Sequence, residues 1–208
     1  MTVETRGRPR LHHDDEILVA ALTAFASCGY DSMSVRALNT ELGLSHGAIN
    51  QRFRSKQQLF FAAIDHGFKT FFAEIAHERA QHVAGRNDLD ELREAIRAFL
   101  LAAARRPELG QLMNQEGLRP SERLDYIVRT VVVPALAPAN VLLTRLIDAG
   151  RIHSVSSRML FFLVAHGAEA PYTLTALSTA FDETDGVLDE IAHANAMTDL
   201  IMRGLRRR

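Results

Sequence analysis

Apolar residues in this chain recur every three or four positions almost from end to end, and the alternation that a half-buried strand needs is hard to find. That periodicity leaves little room for a sheet. Val131-Val132-Val133 is the only tight β-branched cluster, and Pro134 ends it. The chain therefore reads as all-α, with about nine helices expected. A composition of 47% hydrophobic and 24% charged residues fits a soluble globular protein, and 208 residues leave room for a small domain beside a larger one. A single cysteine, Cys28, excludes an internal disulfide and fits a reducing, cytoplasmic compartment. The basic N-terminus lacks the apolar stretch of a secretory signal. The most apolar tract, Met159–Phe181, carries His166, Glu169 and Pro171, so it reads as an interface helix and not a membrane span.

Helix punctuation divides the first third finely. Asp14, Asp15 and Glu16 put negative charge at a helix start, Ile17, Leu18, Ala21, Leu22 and Phe25 form its apolar stripe, and Gly29 stops it. Ser34 is placed to cap a second short helix and Ser45 a third, with Gly43-Leu44 as the turn between them. Ser55-Lys56-Gln57-Gln58 has the capping-box pattern and opens a longer helix to about His82. Beyond Gly85, further helices are expected, with Pro107 and Pro120 at helix starts and Pro134 and Pro138 as breaks or kinks. A long apolar helix is expected from about Ser154 to Ala180, and a last one to about Leu205.

Two short helices across a glycine turn are the layout of a helix-turn-helix. The second, Ser45–Arg52, turns outward Ser45, His46, Ala48, Gln51 and Arg52. Small Gly47 and Ala48 permit close approach to a major groove about 12 Å wide. Asn50 and Gln51 suit adenine, Arg52 suits guanine, and Lys56 stands at a helix N-terminus that also attracts phosphate. Arg6, Arg8 and Arg10 form a flexible basic arm able to follow a minor groove. The same residues admit plainer readings: a glycine turn occurs in many all-α proteins, and basic runs are often solvated faces.

A resemblance resolves the choice. Ile17-Leu18, Ala20-Ala21-Leu22, Phe25, Gly29-Tyr30, Ser34-Val35-Arg36, Glu41, Gly43-Leu44-Ser45, Gly47, Phe53, Ser55-Lys56 and Leu59, in this order and spacing, resemble the N-terminal domain of the TetR family of one-component transcriptional regulators. The likeness covers Ile17–Ile64 and departs at Asn50, where the family often has Tyr, and at Asn39 and Leu42, where small alanines are frequent. It implies a domain layout of arm 1–12, helix-turn-helix domain 13–58, and ligand-binding and dimerisation domain 59–208. It also implies that Ser34 and Lys56 meet phosphates and that Ser45, His46, Gly47, Ala48, Asn50, Gln51 and Arg52 lie in the major groove of a pseudo-palindromic operator. A homodimer through residues 154–206 and a repressor released by a small-molecule effector follow from the same resemblance, with no cofactor, metal or catalytic residue.

Candidate pocket residues, by position, are Phe99, Met113, Glu116, Tyr126, Leu142, Met159, Phe162, His166 and Tyr172. His166 and Glu169, three apart, are expected to satisfy each other at the dimer interface. Two other classes stay open: an all-α enzyme, for which no catalytic motif argues, and an interaction module whose helix-turn-helix no longer binds DNA.

Overall fold

The computed structural model describes residues 13–81 and 87–207. The arm residues Arg6, Arg8 and Arg10, and the expected helix end at His82, lie outside the described residues. Among the described residues every regular element is helical, and one antiparallel bridge joins Ile152 to Arg206. The chain divides into two compact units, one ending at Gly67 and the other starting at Phe68. The division falls inside a helix, C-terminal to residue 58, because Leu59, Phe60, Ala63 and Ile64 are fully buried with the first unit's core.

The first unit holds α1 (Asp14–Ser32, kinked at Gly29), α2 (Val35–Glu41), α3 (Ala48–Phe53) and the first half of α4 (Lys56–Ala80). Ile17, Ala21, Leu22 and Phe25 of α1 are buried at helical spacing, as the stripe predicts. Phe25, Tyr30 and Phe60 pack as an aromatic trio with centroids 5.0–5.7 Å apart. Ser34 caps α2, accepting from Ala37 N–H at 3.3 Å, and Ser55 caps α4, accepting from Gln58 N–H at 3.1 Å.

Ser45 does not cap α3. The helix starts at Ala48, three residues later than expected, and its N-cap is Gly47 at φ +86°. Glycine alone enters that left-handed conformation without a Cβ penalty, so the turn is set by Gly47 and not by a serine hydroxyl. The side chain that holds the start of α3 is Asn39. Only 4% exposed, it accepts from Ile49 N–H at 3.3 Å and donates to Val35 O at 3.0 Å. An alanine could do neither.

The second unit holds the rest of α4, then α5 (Asp88–Arg105), α6 (Pro107–Glu116), α7 (Glu122–Ile127), α8 (Val133–Asp148), α9 (Ser157–Phe162), α10 (Ala170–Thr173), α11 (Thr175–Thr179), α12 (Asp182–Asp185) and α13 (Glu190–Leu205). Asn87 opens α5 with a full capping box, while Ser121, not Pro120, caps α7. Leu92, Ile96, Leu100, Leu146, Ile201 and Met202 centre a core shared by α5, α8 and α13.

Two expectations are corrected here. Pro134 and Pro138 do not break their helix: α7 and α8 run as one rod, Glu122–Asp148, through a π-helical turn at Val128–Val132. The wider turn lets Val133 N–H reach Val128 O just before Pro134, whose ring removes the next donor. Among the described residues this rod, and not Met159–Phe181, is the one helix long and apolar enough to cross a membrane by length and composition. Its inner face lines a cavity described below. The single helix expected over 154–180 is instead α9, a π segment Leu163–Ala168, α10 and α11. Pro171 lacks a donor, and Leu174 at φ −98°, ψ 53° leaves the helical region.

Replacing Asn39 by Ala leaves the buried Ile49 N–H unpaired. The expected cost is about 1–2 kcal/mol, read as a lower urea midpoint for unfolding of the first unit.

Candidate nucleic-acid interface and cavity

α3 is six residues long, and Ile49 is its one fully buried side chain. Exposed residues therefore cluster on one surface: Ser45 and His46 before the helix, then Asn50, Gln51 and Arg52, with Gly47 and Ala48 half-buried between them. Ser34, at the start of α2, is exposed as well. These are the small and hydrogen-bonding side chains the sequence reading grouped, brought to one end of the helix pair.

Two of the basic residues already have work within the unit. Arg52 makes an ion pair with Asp14 at 3.1 Å, so its guanidinium is tied to the first turn of α1. Lys56 donates to Asp31 O at 3.2 Å and lies 4.8 Å from the centroid of the Tyr30 ring. Sequence spacing gives no sign of either contact, because the partners lie 38 and 25 residues away. Between α3 and α4 the chain makes a γ-turn: Arg54 stands at φ +63°, ψ −42°, and Ser55 N–H donates to Phe53 O at 2.7 Å. This conformation costs a non-glycine residue on the order of 1–3 kcal/mol. The surrounding helices hold it and so fix the angle at which α3 leaves the core.

The second unit contains a half-open cavity of about 410 Å³. Its lining is chiefly apolar, with Phe68, Phe71 and Phe72 from α4, Phe99 from α5, Met113 from α6, Leu142 from α8 and Phe161 from α9. Of the expected pocket residues, Phe99, Met113, Leu142 and His166 line it. The other five stand elsewhere. Glu116 is buried in an ion pair with Arg123 at 3.0 Å, and the Tyr172 hydroxyl donates to Glu190 O at 3.1 Å. Met159 and Phe162 point outward, 63% and 55% exposed, and Tyr126 is not in the lining. The three α4 phenylalanines were missed because an apolar stripe on a long helix reads as ordinary core.

The polar groups of the cavity are few. Arg79 pairs with Glu91 at 3.2 Å, and Arg106 with Glu74 at 3.0 Å. His166 and Glu169 do not satisfy each other as expected. His166 Nδ1 lies 2.7 Å from Asn114 Oδ1, and both His166 and Glu169 belong to the cavity wall. Burial lowers the His166 pKa, so the imidazole is neutral at neutral pH, with Nδ1 donating and Nε2 left as an acceptor. Burial pushes the Glu169 carboxyl up to about 7 and the Tyr172 phenol up as well. Gly110 makes room for that carboxyl: a Cβ there would come within 1.8 Å of Glu169 Oε1.

Glu169 carries a pH signature. Its carboxyl ionises at about 7 in the fold and near the ordinary 4.5 in the unfolded chain. Below both values it costs nothing. As pH rises from 4.5 through 7 the unfolded state alone gives up the proton, and stability is lost, by about 3 kcal/mol in full. Glu169→Gln is expected to remove most of this loss, so its melting temperature at about pH 8 exceeds that of the parent chain while the two converge near pH 4. The check is a set of thermal melts across that range.

Comparison with known proteins bears on the first unit most directly. Residues 17–63 match the family model described as bacterial regulatory proteins, tetR family. The HTH-type transcriptional repressor Rv1474c of Mycobacterium tuberculosis is 49% identical over 47 residues, a match that covers 23% of this chain and 25% of that protein. The chain thus aligns with about a quarter of the length of this relative. Solved structures share the whole architecture at low identity. The fatty acid degradation regulator FadR from Bacillus halodurans is 16% identical with a TM-score of 0.66, over 93% of this chain and 100% of that one. A bacterial regulatory protein in the tetR family from Rhodococcus RHA1 is 17% identical with a TM-score of 0.66, over 95% and 99%. Residues 17–63 thus match the tetR family of bacterial regulatory proteins, and the fold is shared with a solved tetR-family protein over nearly the full chain.

Proposed function

We propose that the chain is a sequence-specific DNA-binding transcriptional regulator, a repressor that acts as a homodimer and leaves its operator when a small molecule fills the cavity of the second unit. The observation that carries this reading is the match of residues 17–63 to the tetR family model, beside a stretch of 47 residues that is 49% identical to a named repressor. On this reading Ser45, His46, Gly47, Ala48, Asn50 and Gln51 face the major groove, and Arg52 reads a base while Asp14 steadies its guanidinium. Ser34 and Lys56 bind the backbone, and Arg6, Arg8 and Arg10 follow the neighbouring minor groove. The dimer brings two such helices about 34–36 Å apart, or a further turn, on an inverted repeat.

Support for the dimer comes from the outward apolar residues of the last helices. Met159, Phe162, Leu174, Leu177, Phe181, Ile191 and Leu200 are each half exposed or more, within the 154–206 stretch expected to pair. Support for an effector comes from the chiefly apolar cavity and from the Bacillus halodurans neighbour, whose name ties it to fatty acid degradation. α4 runs unbroken from Lys56 to Ala80, through both units, and is the element able to carry a signal between them. Such a regulator works in the cytoplasm, on the chromosome.

The test is selection of fragments from the source genome by the purified protein, followed by anisotropy titration at two salt concentrations. An inverted-repeat fragment bound at least about a thousandfold more tightly than random DNA is expected. Weak binding without sequence preference, by protein freed of ligand, overturns the reading. With an operator in hand, Arg52→Ala is expected to weaken operator binding by about 1–3 kcal/mol and random DNA far less. Lys56→Ala should weaken both evenly and flatten the salt slope by about one unit. Leu177→Glu, at an exposed site, should leave the melt unchanged but shift the mass in light scattering from dimer to monomer, with operator affinity falling in step.

A further inference from the structure

Glu169 is 4% exposed, and no hydrogen-bond donor among the described residues reaches its carboxylate. A buried carboxyl without a partner is costly, and native chains seldom keep one without use for it. Three nearby donors are directed elsewhere. The Tyr172 hydroxyl goes to Glu190 O, the Gln111 amide to Thr173 O, and His166 Nδ1 to Asn114. Gly110 leaves room for the carboxyl against α6, and the carboxyl forms part of the cavity wall.

The cavity's cations are spent in the opposite sense. Arg79 faces Glu91 and Arg106 faces Glu74, so neither is left to neutralise an incoming anion. His166 stays neutral through burial and presents an acceptor nitrogen. Five phenylalanines complete the lining, three of them from α4. Their ring faces attract positive charge and repel negative. Acceptors without donors, an unmatched carboxylate and aromatic faces together describe a site for a lipophilic cation.

We propose that the cavity's ligand is an apolar amine, its ammonium group seated against Glu169 and its hydrocarbon body against the α4 phenylalanines. This rests on the cavity being the effector site. It also separates this chain from a reading by analogy, since a fatty acid would set a carboxylate beside a carboxylate. The Glu169 proton fits the role, because a carboxyl poised near 7 ionises readily once an ammonium replaces the missing donor.

The experiment is calorimetric titration of the full chain with decylamine, decanol and decanoate, each below its micelle concentration. Decylamine is expected to bind at least about tenfold more tightly than the other two. Glu169→Gln is expected to lower decylamine affinity at least about tenfold and to change decanol affinity less than about twofold. Gly110→Ala, which displaces the carboxyl without removing it, should act in the same direction. Tighter binding of decanoate or decanol, or an equal loss for all three in Glu169→Gln, overturns the amine assignment and leaves the cavity an effector site. If none of the three binds while the melt shows folded protein, the cavity's role as effector site fails, and the amine assignment fails with it.

Discussion

A six-residue helix cannot hold itself together in water, and the first unit contains one. α3 persists because two contacts anchor it: the Ile49 side chain in the core and the Ile49 N–H on the Asn39 carboxamide. Asn39 in turn is pinned by its own bond to Val35 O, so α2 and α3 share one buried polar joint. The γ-turn at Arg54 closes the other end. Gly47, Asn39 and Arg54 thus set the pose of the exposed Asn50, Gln51 and Arg52.

The second unit solves a different problem. It keeps an apolar hollow open in the middle of a helical bundle, where close packing is the rule. The α4 phenylalanines wall the hollow partly against one another, with Phe71 and Phe72 edge to face at 5.7 Å, and Phe71 meets Phe99 of α5 at 5.4 Å. Charged groups at the wall are neutralised in pairs, Arg79 with Glu91 and Arg106 with Glu74, leaving Glu169 as the exception. The cost of that exception falls on stability at neutral pH, where the folded chain must begin to ionise a carboxyl held away from water.

Local physics was readable from residues alone. The α1 stripe, the Ser34 and Ser55 caps, the opening of α6 at Pro107 and the final helix all follow from spacing and capping chemistry. Features that depend on partners distant in sequence were not readable. Asn39 stood out only as an odd residue among small ones, because its acceptor role needs Ile49 folded beside it. Glu169 looked like a partner for His166, three residues away, because Gly110 and the spent donors around it sit on other helices. Met159 and Phe162, pocket candidates by position alone, face outward from α9, because position along the chain does not say which side of a helix meets the core.

The π-helical winding has a bearing on how such a protein changes over generations. Both π segments contribute to the cavity wall, through Val131 and Val132 in one and through Val164, Ala165 and His166 in the other. A π turn holds one residue more than an α turn. Deleting a single residue from either segment restores the tighter winding and leaves the later side chains facing as before, because the wider turn had absorbed the extra residue; in a plain α-helix the same loss would turn them by about 100°. A cavity bounded by two such turns can thus gain or lose a residue in its wall while the helices beyond keep their register, a tolerance that a wall of plain α-helices would lack.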